Sequence, residues 1–183
     1  MKHHLAKSTL ATLLLTTFAI PSLASYEDLD FGIHFGFTNL TVDKSFSLSD
    51  NENDDREING FIGAQFNYYV TDSVKLEGAY TYHLSPDFFG ITETYATDEL
   101  SLNIGYSLNA GNKVLTPSIG VAFWKMQSND GWGPNKEETK TSSTDPVFKL
   151  AMRNNDSIVT YYFRAAPFDF GTMLSLGLSI DLW

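Results

Sequence analysis

The 183-residue chain contains no cysteine. That excludes disulfide staples, and it excludes a lipoprotein anchored through an N-terminal cysteine. No long apolar run follows the first two dozen residues, so no transmembrane helix is predicted there. Basic residues are scarce: 12 Lys and Arg stand against 22 Asp and Glu, for a net charge of −10. Such acidity argues against nucleic acid as a partner. Aromatic residues are plentiful at 14%, which suits strands with one apolar and one polar face.

The N-terminus reads as a targeting segment. Lys2 and Lys7, with His3 and His4, form a positive region, and residues 10–20 form an apolar core too short to span a bilayer. Pro21, Ser22 and Ala24 supply a small-residue cleavage pattern. A secretory signal over 1–24 is expected, with a single mature domain over 25–183. Cleavage after Ala24 removes two lysines and no acid, taking the net charge from −10 to −12.

Read with a period of two, the mature region gives eight expected strands: 29–42, 58–70, 74–84, 96–108, 114–124, 146–153, 157–166 and 173–183. In the first, Phe31, Ile33, Phe35 and Phe37 oppose Gly32, His34, Gly36 and Thr38. In the last, Leu174, Leu176, Leu178, Ile180 and Leu182 oppose Ser175, Gly177, Ser179 and Asp181. Residues 71–73, 109–113 and 154–156 read as tight polar turns. Residues 43–57, 85–95 and 125–145 read as long polar loops, and 167–172 as an intermediate one. An even strand number, a dyad repeat and short turns alternating with long loops match an antiparallel up-and-down transmembrane β-barrel, with both termini on the periplasmic side.

A lipocalin-like barrel has the same alternation turned inside out. Three features favour the membrane reading. The polar face carries Gly, Ser, Thr and Asn, which fit a narrow lumen. The apolar face is bulky, with Tyr68, Tyr80, Tyr82 and Tyr106 near strand ends as interface girdles require. The polar face also mixes both charge signs, so charges can pair inside.

The segment MLSLGLSIDL, from Met173, resembles the closing strand of the OmpA membrane domain. TDPVFKLAM, from Thr144, is similar to the Asp-Pro-led sixth strand of the small OmpA-like and OmpX-like barrels. YYFRAAPFDFG, from Tyr161, resembles their seventh strand and short fourth loop. The motif likeness is confined to the last third, whereas the topological likeness covers the mature chain. The resemblance implies an eight-stranded barrel of the Gram-negative outer membrane. No peptidoglycan-binding domain is expected after Trp183, so wall tethering is not implied. In such proteins the terminal assembly signal ends on an aromatic residue in the lipid-facing register. Here Leu182 holds that register and Trp183 lies one position beyond. Recognition by the outer-membrane insertion machinery is expected to rest on these two.

Lys75, Glu77, Glu99, Lys149 and Arg164 are expected in the lumen. A gated path and an ion-pair network are the two readings, and the network is preferred because eight strands leave room only for side chains. His83 and Ser85, with Glu77 or Asp87 as the acid, offer a lipid A-modifying triad. The flanking motif of the lipid A deacylase is absent, and the lumen is the wrong face for a lipid. His34 is expected as a satisfied interior residue. The loop DNENDDRE (residues 50–57) spaces oxygen ligands alternately, but the EF-hand glycine is missing and Phe61 stands where the bidentate glutamate belongs. Asp50, Asp54 and Asp55 therefore read as a solvated acidic loop. Phe88 and Phe89 read as girdle residues. Trp132, in NDGWGPN, suits either a girdle or a partner contact.

The expectation is a monomeric, non-enzymatic envelope barrel without metal or cofactor. Its partners would be outer-membrane lipid and lipopolysaccharide, with external loops meeting a host surface or phage. A lipid A-modifying enzyme and a narrow low-conductance pore are the alternatives.

Overall fold

The period-two segments pair into one antiparallel sheet that closes on itself. The computed structural model describes residues 29–42, 56–84, 96–130, 137–168 and 171–182. They form β1 (Leu29–Val42), β2 (Arg56–Tyr69), β3 (Val74–Leu84), β4 (Ala96–Tyr106), β5 (Leu108–Ala110), β6 (Lys113–Asp130), β7 (Glu137–Asn154), β8 (Val159–Phe168) and β9 (Gly171–Asp181). β5 continues β4 past Ser107 in the same register against β6, so the two act as one strand. Each strand pairs with its sequence neighbours, and β1 pairs with β9 to close an eight-stranded up-and-down barrel. Closure leaves no open sheet edge through the barrel wall. No described helix is long and apolar enough to cross a membrane.

Two of the expected strands, 29–42 and 74–84, have the expected bounds. The others shift by a few residues at their ends, except around the expected long loop 125–145. There β6 and β7 pair without interruption from Lys113↔Asn154 to Asp130↔Glu137. Most of that loop is therefore a paired ribbon. The expected intermediate connection 167–172 is also shorter, because β8 and β9 pair as far as Phe168↔Gly171.

The chain reverses tightly at one end of the barrel, called here the turn end. Thr71 organises the β2–β3 turn: its hydroxyl accepts the Val74 amide at 3.0 Å, and its amide donates to the Val74 carbonyl at 3.2 Å. Gly111, at φ 68°, takes the first central position of the two-residue loop between Ala110 and Lys113. A side chain there would be strained, and glycine is the residue such a hairpin demands. The β1 start and the β9 end lie at the same end. The Leu182 amide donates to the Phe31 carbonyl at 2.7 Å.

The two faces are sorted by parity. Phe31, Phe37, Ile62, Leu100, Ile119, Phe148, Tyr161 and Leu176 point outward, Phe37 being 69% and Leu176 65% exposed. Tyr80, Tyr82 and Tyr106 share that face. Polar residues outnumber apolar ones among the buried residues. This is a soluble fold inverted, and an interior of polar groups requires that they satisfy one another.

Candidate functional site

Inside the barrel the expected charges fall into two clusters. The acids stand on β3 and β4, the cations chiefly on β7 and β8. Each main ion pair therefore crosses the lumen between strands that are not neighbours. In the first cluster Glu77 accepts from Lys149 Nζ at 2.6 Å, from Lys75 Nζ at 3.3 Å and from Asn103 Nδ2 at 3.4 Å. Lys75 also donates to Asn67 Oδ1 at 3.3 Å. Lys149 lies 4.4 Å from the centroid of the Tyr162 ring. In the second cluster Arg164 grips Glu99 with both arms: Nη1 donates to Oε2 at 2.9 Å, and Nη2 donates to Oε1. His83 Nε2 lies 3.4 Å from Glu99 Oε2. The Arg164 guanidinium stacks 5.1 Å from the Trp124 ring. A bidentate fork fixes both charges in one geometry, which a buried pair requires if attraction is to offset desolvation.

Aromatic side chains fill the space around and between these clusters. His34 meets Phe61 edge to face at 5.9 Å, and its Nε2 lies 3.1 Å from Thr81 Oγ1. Phe61 in turn contacts His83 and Tyr162. Glycine makes the room: a Cβ on Gly177 would stand 2.6 Å from Tyr162 Cζ and 2.8 Å from Phe61 Cζ. The two cavities bordering Glu77 and Lys149 each have a volume of about 20 Å³, enough for one water.

The opposite end of the barrel, where β1 ends and β9 begins, is closed by an apolar cluster. Leu40, Ala122, Trp124, Val147, Ala166 and Met173 are all buried there, with Phe168 against them. Sequence reasoning placed only small and polar groups on the inner face and missed this cap. The signal was present in parity: Phe123 and Trp124 are consecutive, so one of them must point inward.

The outer face changes character near the capped end, called here the loop end. Cross-strand register places Tyr80, Leu100, Phe123 and Thr144 in one rung, and Tyr82, Asp98, Lys125 and Ser142 in the next. The first rung is mainly apolar and the second mainly polar. Tyr80 Oη donates to Asp98 at 2.5 Å, joining them.

Leu182 is 57% exposed at the turn end. Asp50, Asp54, Asp55, Ser85, Asp87, Phe88, Phe89, Trp132 and Trp183 lie outside the described residues, as does the expected signal segment. Among the described residues no group of His, Asp and Glu is placed to hold a metal.

The profile of the family described as "Outer membrane protein beta-barrel domain" matches residues 10–183. No curated protein matches the chain. Among solved structures, the N-terminal β-barrel domain of Pseudomonas aeruginosa OprF aligns with a TM-score of 0.55 at 12% identity, over 85% of this chain and 98% of that one. Ail, the attachment invasion locus protein of Yersinia pestis, aligns with 0.54 at 10% identity, over 84% and 95%. Neisserial surface protein A aligns with 0.58 at 7% identity, over 85% and 97%. At these identities the likeness is one of fold.

Proposed function

The chain belongs to the outer membrane protein β-barrel family, and from that premise we propose that it is a non-enzymatic, monomeric protein of the Gram-negative outer membrane. Its work would be envelope integrity and surface interaction, performed by the segments at the loop end. The observation that carries this reading is the inversion of the fold. The outer wall is a continuous band of exposed apolar side chains, which only lipid covers without cost. The inner wall is a filled set of ion pairs and aromatics with a cap of Leu40, Trp124 and Met173. Among the described residues the cavities beside Glu77 and Lys149 hold about 20 Å³ each, which supports a filled lumen rather than an ion path or a substrate cleft.

The chemistry of His83 supports the same reading. Its ring is buried beside Glu99, Phe61 and Trp124, turned away from the face that lipid A would occupy. Two of the similar folds bear names, an attachment invasion locus protein and a surface protein, in keeping with a role at the cell surface. The proposal includes export through the 1–24 segment, a periplasmic turn end, assembly by the insertion machinery through Leu182 and Trp183, and contact with lipopolysaccharide around the outer rim.

Mass analysis of lipid A from cells with and without the protein tests the non-enzymatic part. An unchanged spectrum is expected, and a lost or transferred acyl chain would sink it. Planar-bilayer recording tests the filled lumen. The expected trace is silent, and discrete conductance steps would show an ion path.

A further inference from the structure

Among the described residues, Gln65 Oε1, His83 Nδ1, Asn103 Oδ1, Trp124 Nε1 and Asp181 Oδ1 are buried side-chain atoms with no protein partner. A bare polar atom is costly in a dry interior. Their positions follow the cavities. Gln65 and Asp181 line the cavity on the turn-end side of Glu77 and Lys149. His83 and Asn103 line the cavity on the other side. Glu77 and Lys149 border both, so their ion pair stands between the two spaces. Trp124 borders neither, and belongs instead to the apolar cap. Gln65, His83 and Asn103 are no more than 5% exposed, so bulk solvent does not satisfy them.

The atoms without partners share one chemistry. The oxygens of Gln65, Asn103 and Asp181 are acceptors. His83 joins them: its Nε2 faces the Glu99 carboxylate at 3.4 Å, which places the hydrogen of the neutral ring on Nε2 and leaves Nδ1 to accept. Each cavity therefore calls for a donor. A volume of about 20 Å³ admits one water and no larger donor. A metal ion fits the size but not the charge. Lys75, Lys149 and Arg153 already outnumber Glu77 and Asp181 around the turn-end cavity. Around the other, Lys149 and Arg164 balance Glu77 and Glu99. Water donates two hydrogens without adding charge, and its oxygen accepts from the ammonium or guanidinium groups on the same walls.

We propose that the lumen binds two ordered waters, one on each side of the Glu77–Lys149 pair, and that through them protons of the turn-end solvent exchange with the middle of the barrel but not with its cap. The route runs from the first water through the Lys149 ammonium to the second water. Each group passes on one proton and receives one, so no net charge moves and no ion crosses. Exchange stops below Leu40, Trp124 and Met173, which offer no polar path. The inference stands on the lumen alone and goes beyond the surface role proposed above.

The test uses the isotope-labelled full barrel in nanodiscs and water-selective rotating-frame Overhauser spectra. Cross peaks from water to the Gln65 and Asn103 side-chain amides are expected, opposite in sign to the diagonal as a resident water requires. The Trp124 indole N–H should show none and should exchange slowly with deuterium. Absent cross peaks at both amides would overturn the proposal, and so would rapid exchange at Trp124. Ala151 is buried on the wall of the turn-end cavity, so Ala151→Val fills that space. It should abolish the Gln65 cross peak and slow deuterium exchange at Asn103. Unchanged exchange at Asn103 in the folded variant would overturn the turn-end route. If Ala151→Val does not fold, the spectra of the parent barrel decide. A spectrum with both cross peaks from a barrel that labels at the cell surface or from one that does not supports the waters equally, so this result and the surface reading fail separately.

Discussion

Arg164→Met removes both donors that grip Glu99, a carboxylate whose side chain is 0% exposed. What remains is His83 Nε2 at 3.4 Å, a long contact from a group with no fixed positive charge. Stripping one partner from a buried ion pair costs about 3–5 kcal/mol, because the other charge stays desolvated. Lys149→Met is a gentler change. Glu77 keeps Lys75 at 3.3 Å and Asn103 at 3.4 Å, so the loss is that of one charge-assisted hydrogen bond, about 1.5–3 kcal/mol. The double variant Glu99→Gln with Arg164→Met removes both charges together and is expected to recover much of the single-variant loss, since no unpaired charge is left. The assay is urea unfolding of the barrel in lipid vesicles, followed by tryptophan fluorescence. With a slope of about 2 kcal/mol per molar urea, Arg164→Met should lower the midpoint by about 2 M and Lys149→Met by about 1 M. Equal midpoints for Arg164→Met and the parent would refute the reasoning. So would a double variant no more stable than Arg164→Met alone.

Other consequences can be checked in the same preparation. Gly177→Ala sets a methyl 2.6 Å from Tyr162 Cζ and 2.8 Å from Phe61 Cζ, and this overpacking should cost about 1–3 kcal/mol in the urea midpoint. Leu176 is 65% exposed on the outer wall, paired with Phe37 and Phe163 along the strands. Leu176→Lys should cost about 2–4 kcal/mol in vesicles if that wall meets the bilayer centre, and Ile158→Lys at the turn end about 0–1; equal costs would contradict the membrane placement. Deleting Trp183 should reduce assembled protein at the outer membrane, and normal surface levels of the truncated chain would show that Leu182 and its register suffice.

The sequence displayed the barrel because lipid on one side and a polar lumen on the other impose a period of two on every wall strand. Where that asymmetry ends, the signal ends. KMQSND (residues 125–130) and EETKTSSTD (residues 137–145) show no alternation, so they read as loop, yet they pair into a ribbon. The five lumen charges were visible through parity, but not their partners. Glu77 meets Lys149 and Glu99 meets Arg164 across strands whose relative stagger is set by closure and not by local pattern. The apolar cap was hidden for a related reason. Leu40, Trp124 and Met173 point inward near the loop end, where an apolar residue in the polar phase looks like an irregularity rather than a seal.

The central claim is that this chain is a closed barrel whose apolar wall lies in the outer membrane. Closed barrels resist SDS until heated. The most direct measurement is therefore gel migration of the protein from fractionated cells, before and after boiling. The account predicts recovery in the outer-membrane fraction and a band whose mobility changes on heating. Recovery as soluble periplasmic material, with the same mobility before and after boiling, would contradict it.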